Sequence, residues 1–403
     1  MSKKIPLGLT IALILISVIV SSCLSTFIFI KSYSDLLNDL PLRASQYKKL
    51  ENIDELVRSE YFGSINSSDI DQGLVSGYIN GLDNDYCYFI APEDVESFNY
   101  LQKGVVPGVG VTAFYDSESG FIKVSYVYSD SPADNAGITE NSFITKVNGK
   151  DVNDKNSGSL LTLINDYFDS KVDITYYLSD SPENIIDVTV NSGYNINSCY
   201  YSINGNVGYI RFSAFYENTV ETFKKAIEHF TDNSISAIIL DLRNCNGSDF
   251  DCASKIIDII VPVGNEGTGS IFSAKNTNGD IVYQYNSDAD TLNFSFACLI
   301  NDRTESAAEL IACDLRDFGK AILIGEKSAG IGTLQKLFQL EDGSAVSLTV
   351  AEIFPYISPS YNNVGVTPDV EILTSDSFKN QIGSNNFSED EQYNKAYSYL
   401  TGQ

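Results

Sequence analysis

The sequence predicts an α/β core with a helical segment on its N-terminal side, an inserted β-rich module and an N-terminal transmembrane anchor. Three stretches carry that expectation. Residues 206–372 alternate strand-like apolar runs with amphipathic helical ones, the pattern of an α/β layer structure. Residues 104–191 switch to short β-rich runs separated by turns. Ile5 to Ile30 form an almost unbroken apolar run. The expected divisions are an anchor over 1–34, a helical part of the core over 35–100, the β-rich module over 104–191, the α/β core over 192–372 and a C-terminal tail over 373–403.

Composition narrows the function classes. The chain has 403 residues, 43% of them hydrophobic and 12% aromatic, enough for a multi-domain globular protein with a sizeable core. Asp plus Glu number 53 against 26 Lys plus Arg, giving a net charge of −27. A nucleic-acid partner is therefore not expected, because a phosphate backbone calls for a basic surface. The single histidine and the seven cysteines, with no CxxC pair, point away from a zinc site. No metal or other cofactor is expected.

The apolar run follows Lys3 and Lys4 and exceeds the roughly 20 residues that cross a bilayer. It is longer than the core of a cleaved signal peptide. An uncleaved anchor with the bulk of the chain outside the cytoplasm is the expectation. Val20-Ser21-Ser22-Cys23 offers the alternative of a lipoprotein box with Cys23 lipidated.

Residues 35–95 read as helical. Ser68 to Asp71 form a capping-box pattern, and Leu74, Tyr78 and Ile79 follow at helical spacing up to Gly81. In the core, 206–215, 237–243, 296–302 and 321–326 read as strands. Phe223, Ala226, Ile227 and Phe230 mark the buried stripe of one helix. Helices are also expected over 251–261 and from Glu305 to Phe318, the latter ended by Gly319.

Within the β-rich module lie GVGV (108–111), SPADNAGI (131–138) and FITKVNGKDV (143–152). In this order they resemble a PDZ domain. That resemblance implies that Gly108, Val109, Gly110 and Val111 offer backbone N–H groups to a peptide's C-terminal carboxylate while the peptide extends the sheet. ENS (140–142) departs from the usual turn of such domains.

A wider resemblance joins these motifs. LDNDYCYFIAPED, GYIRFSAFYENTVETFKKAI, IILDLRNCNGS, LINDRTESAAE, GEKSAGIGTLQ, LEDGSAVSLT and VGVTPDVEI are together similar to the carboxyl-terminal processing, or tail-specific, serine peptidases. The resemblance implies a Ser–Lys dyad, with Ser306 in RTESAAE as the nucleophile and Gln335 orienting the lysine. It implies an oxyanion hole from Gly247 and Ala307. The lysine position falls on Ile331. An isoleucine has no lone pair with which to take the serine proton. Lys327 in the same loop is a distant substitute, and His229 reads as a residue of an amphipathic helix surface. Asn244 and Ser248 stand where relatives carry glycine. Ser306-Ala-Ala-Glu309 is also a capping box, so the serine has a bland reading as a helix cap.

Two functions follow from the resemblance. One is a membrane-anchored serine endopeptidase that captures protein C-termini and cleaves peptide bonds with a non-standard base. The other is a catalytically inactive pseudopeptidase that binds peptide tails as a scaffold or regulator. The partners are protein or peptide C-termini and the membrane, and self-association into a homo-oligomer is left open.

Overall fold

The computed structural model describes all residues except 1–6, 248, 262–269, 288–291, 380–381, 384–386 and 403. The side chains of 7–15 and 28–43 also lie outside the description. The chain divides into two compact units, Met1–Leu74 and Val75–Gln403.

In the first unit one helix runs from Leu7 to Glu60 without a break at the expected end of the anchor. Among the described residues no helix is long and apolar enough to cross a membrane, and part of the expected anchor lies outside them. The next helix is Ser67–Asn80. Its cap is Asn66, whose Oδ1 accepts from Ser68 N at 3.1 Å, and not the expected Ser68. The chain enters the helix two residues earlier, which leaves Asn66 as the side chain able to reach a free N–H.

The second unit is built on a sheet whose spatial order follows chain order: Cys199–Asn204, Val207–Phe212, Ala237–Asp241, Ser295–Ile300, Ala321–Gly325 and Val370–Glu371. The first pair is antiparallel and the rest are parallel. Strands buried on both faces read as continuous apolar runs. Their alternation sorts the two sides. Ile238, Leu240, Phe296, Cys298 and Ile300 pack with the helices Thr219–Asp232, Phe250–Ile260 and Ala307–Asp317. Ala237, Ile239, Ala297 and Leu299 pack on Tyr393 and Ala396 of the helix Glu391–Thr401. The expected stripe of Phe223, Ala226, Ile227 and Phe230 is buried in the first cluster. The region expected as a tail thus closes one face of the core.

A second sheet, antiparallel, places Ala345–Phe354 between Tyr88–Ile90 and Ser270–Lys275, with Ile281–Asn286 on the outer edge and Thr333–Gln339 also paired to Ala345–Phe354. Tyr88–Ile90 adds a strand, after the expected helix end near Gly81, to the 35–95 region that read as helical.

Residues 111–191 form a six-stranded sheet of their own. Its hydrophobic cluster, from Val109 to Val190, is separate from those of the core. At its base Val105–Val106 pairs antiparallel with Tyr194–Asn195.

Candidate active site

Ser306 sits between the short strand Glu305–Ser306 and the helix Ala307–Asp317. A helix cap ordinarily adopts extended backbone. Ser306 instead has φ 55° and ψ −117°, a conformation that costs a non-glycine residue about 1–3 kcal/mol. Three contacts hold it there. Its N–H donates to Glu309 Oε2 at 3.0 Å, its carbonyl accepts from Tyr361 Oη at 3.0 Å, and it bridges in parallel to Gly247. Burial pushes the Tyr361 phenol well above its ordinary pKa, so it stays a donor. The glutamate half of the predicted capping box is present, but the serine's backbone is not that of a simple cap.

The bridge sets Gly247 beside Ser306, and Ala307 follows as the first residue of the helix. Both candidate oxyanion donors therefore flank the serine, at the N-terminal end of a helix dipole. Gly247 has to be glycine, because a Cβ would lie 2.3 Å from the Phe215 ring and 3.1 Å from Ala308 N. Asn244, in a place where glycine was expected, takes the left-handed conformation itself with φ 54°. Asparagine tolerates this region better than most residues. Its backbone N–H donates to Asn301 Oδ1 at 3.0 Å, and its Nδ2 donates to the Lys379 carbonyl at 2.6 Å. The backbone path survives that replacement; Ser248 lies outside the described residues. Cys245, in the same loop, is no substitute nucleophile, because burial pushes its thiol well above its ordinary value.

The loop bearing Ile331 is held mainly by Glu309. This fully buried carboxylate accepts from Ser328 Oγ at 2.5 Å, Gly330 N at 2.7 Å and Ile331 N at 2.8 Å, besides Ser306 N. Burial pushes its pKa up, against the opposing pull of these four donors. With both oxygens engaged it is no base for Ser306. The glycines around Ile331 have their own reason. A Cβ on Gly330 would lie 2.8 Å from Gly365 N, and one on Gly332 would lie 2.8 Å from Asn362 N. The two loops touch backbone to backbone, and Asn363 N donates to Gly330 O at 2.8 Å.

Gln335, half-buried at the start of its strand, donates through Nε2 to Thr333 Oγ1 at 2.9 Å and to Thr349 Oγ1 at 3.5 Å. Lys327 is exposed. His229 is exposed on its helix and its ring lies 5.7 Å from that of Tyr201. Among the described residues, the side chains hydrogen-bonded to Ser306 are those of Glu309 and Tyr361, and no lysine or histidine nitrogen is among them.

The 108–111 loop needs a correction. Gly108 N donates to Tyr167 O and Val109 N to Ile164 O, both at 2.8 Å. Those two N–H groups are already engaged and cannot take a carboxylate. Gly110 and Val111 are left, at the start of the edge strand Val111–Asp116. Beside it opens a cavity of ≈ 560 Å³ lined in part by Tyr126, Tyr128, Tyr194 and Tyr200.

Residues 206–372 match peptidase family S41. That stretch belongs to this family and makes up less than half of the chain. The chain is 27% identical over 363 residues to the carboxy-terminal processing protease CtpA of Bacillus subtilis (strain 168), a match covering 89% of this chain and 76% of the relative. It is 25% identical over 365 residues to a probable CtpA-like serine protease of Staphylococcus saprophyticus, covering 90% and 72%. Among solved structures, the photosystem II D1 C-terminal processing protease is 22% identical, with a TM-score of 0.48 and coverage of 80% of this chain and 86% of that one. Within the S41-matching region, Tyr361 is the site residue that the sequence motifs do not mark, and they mark Glu309 only as a capping partner. Local spacing could reveal that role of Glu309, but not its bonds to 328–331.

Proposed function

We propose that this protein engages protein or peptide C-termini on an S41 peptidase scaffold, with Ser306 in the nucleophile position and no amine to activate it. Turnover then lies orders of magnitude below that of a Ser–Lys pair, and the protein binds tails far better than it cuts them. The observation that carries this reading is the strained backbone of Ser306, held by Glu309, Tyr361 and Gly247. A serine that merely capped a helix would gain nothing from that conformation. Next to it, position 331 offers a hydrocarbon where the chemistry calls for a lone pair.

Capture of tails is assigned to the PDZ-like module, through the Gly110 and Val111 N–H groups and the tyrosine-lined cavity. Anchoring by the N-terminal segment, with the bulk of the chain extracytoplasmic, rests on Lys3, Lys4 and the apolar run after them.

The test is a peptidase assay of the parent beside Ile331→Lys. Placing an amine by Gln335 is expected to raise kcat/KM by at least about 10²–10⁴, the usual range for a positioned general base, and Ser306→Ala should abolish the gain. A parent as active as Ile331→Lys, and silenced by Lys327→Ala, would favour the second reading, a working endopeptidase with a displaced base.

A further inference from the structure

The carboxylate of Glu309 touches both halves of the site. Oε2 accepts from Ser306 N and from Ile331 N, and Oε1 accepts from Ser328 Oγ and Gly330 N. Ser328 Oγ also accepts from Val366 N at 2.6 Å, which brings in the 361–366 loop. From that loop Tyr361 returns to the Ser306 carbonyl. The contacts form a closed ring: nucleophile, carboxylate, loop 328–331, loop 361–366, nucleophile.

We infer that Glu309 is a positioning residue that sets the seat at 331 against Ser306, an inference that rests on reading those two positions as nucleophile and base. A capping role accounts for the bond to Ser306 N alone. The other three donors all come from the loop that carries the seat, and a helix cap has no need of them. Bonds from N–H and O–H groups to a buried carboxylate are among the stronger ones in proteins. All four converge on two oxygens, so the distance between the backbones of 306 and 331 is held by a single planar group. Glutamine cannot replace it. Its amide puts an NH2 where one oxygen faces two donors. On the Oε1 side the Ser328 hydroxyl can turn to accept but Gly330 N–H is left opposed, and on the Oε2 side both Ser306 and Ile331 N–H are.

The experiment uses the full chain in two backgrounds. In the parent, hydrogen exchange is followed for Gly330 and Ile331, with the strand Ala237–Asp241 as internal reference. Glu309→Gln should speed exchange at 330 and 331 by about tenfold or more while the reference strand keeps its protection. In the Ile331→Lys background the same change should lower kcat by about 10²-fold, the effect of misplacing a catalytic group by about 1 Å, with KM within about twofold. If Glu309→Gln does not fold, Ser328→Ala, which removes one donor of the four, is measured in the same way and should show smaller shifts of the same kind. Unchanged exchange at 330 and 331 in the variant that folds, or an unchanged kcat in an active Ile331→Lys background, would overturn the inference. Faster exchange at 330 and 331 with an Ile331→Lys protein that gains no activity would uphold the clamp and sink the reading of 331 as the base position.

Discussion

Arg243 is fully buried and lies directly before the loop that carries Asn244 and Gly247. Its guanidinium donates to both oxygens of Asp241 at 2.9 and 2.6 Å, to both oxygens of Asp390 at 3.0 and 2.7 Å, and to Gln392 Oε1 at 2.9 Å. Asp390 caps the helix Glu391–Thr401 through Tyr393 N, so this one side chain ties the last helix to the sheet. Arg243→Met fills much of the same volume and removes the charge and all five bonds. It strands two carboxylates, one of them fully buried and the other nearly so. Breaking a buried ion pair from one side typically costs about 3–5 kcal/mol. Tyr209 Oη still donates to Asp241 at 2.8 Å, which places the expected loss toward the lower end of that range. Urea unfolding of both proteins, compared at equal slope, measures it. Arg243→Met/Asp241→Asn, which discharges the more deeply buried partner, should recover part of the loss. A loss below about 1 kcal/mol, the scale of an exposed pair, or no recovery in the double variant, would refute the argument that uncompensated charge is the cause.

Three further outcomes are expected. Gly330→Ala forces a Cβ to within 2.8 Å of Gly365 N at φ 86°, so stability in urea should fall by about 1–3 kcal/mol, whereas Gly120→Ala, with φ 76° but open space around it, should lose less. Tyr361→Phe leaves the Ser306 carbonyl without its donor and should lower stability by about 1 kcal/mol, and it should slow an active Ile331→Lys protein; equal rates would detach Tyr361 from the site. Burial alone would push Asp241 up, but Arg243, together with hydrogen bonds from Arg243 and Tyr209, holds it below its ordinary range. Its stabilisation is therefore complete above the unfolded value of about 3.9 and is lost as pH falls through the lower native value, a loss that acid titration of the parent should show and that Arg243→Met should lack.

Much of the core was legible because its signals are local. The runs at 237–240 and 296–300 are apolar throughout, as strands covered on both faces must be, and Phe223, Ala226, Ile227 and Phe230 recur at helical period. The second sheet left no comparable trace. Ser347 pairs with Tyr88 across the whole inserted module, and every residue of Ile281–Asn286 is exposed or half-buried. The helix Glu391–Thr401 was readable in principle, since Tyr393, Ala396, Tyr397 and Leu400 lie on one face. At the site, motif order located Ser306 and Ile331. The two engaged N–H groups of the 108–111 loop were not visible, because their acceptors, Tyr167 and Ile164, lie more than fifty residues away. Gly330 and Gly332 flank Ile331 for a packing reason that the sequence does not show, the close approach of the 362–365 backbone.

The short pairing of Val105–Val106 with Tyr194–Asn195 brings the entry and exit of the inserted module side by side. Topologically the module is a closed cassette, and the core sees a tight turn where the chain contains a whole sheet. If the cassette closes first, Tyr88–Ile90 finds Ala345–Phe354 with a shorter effective loop, a saving of about 0.4 kcal/mol of closure entropy. The module's strands pair mostly with near neighbours in the chain, which suits early formation. Loosening that pairing, for instance with Val106→Pro, should therefore slow refolding of the core while leaving its unfolding rate nearly unchanged.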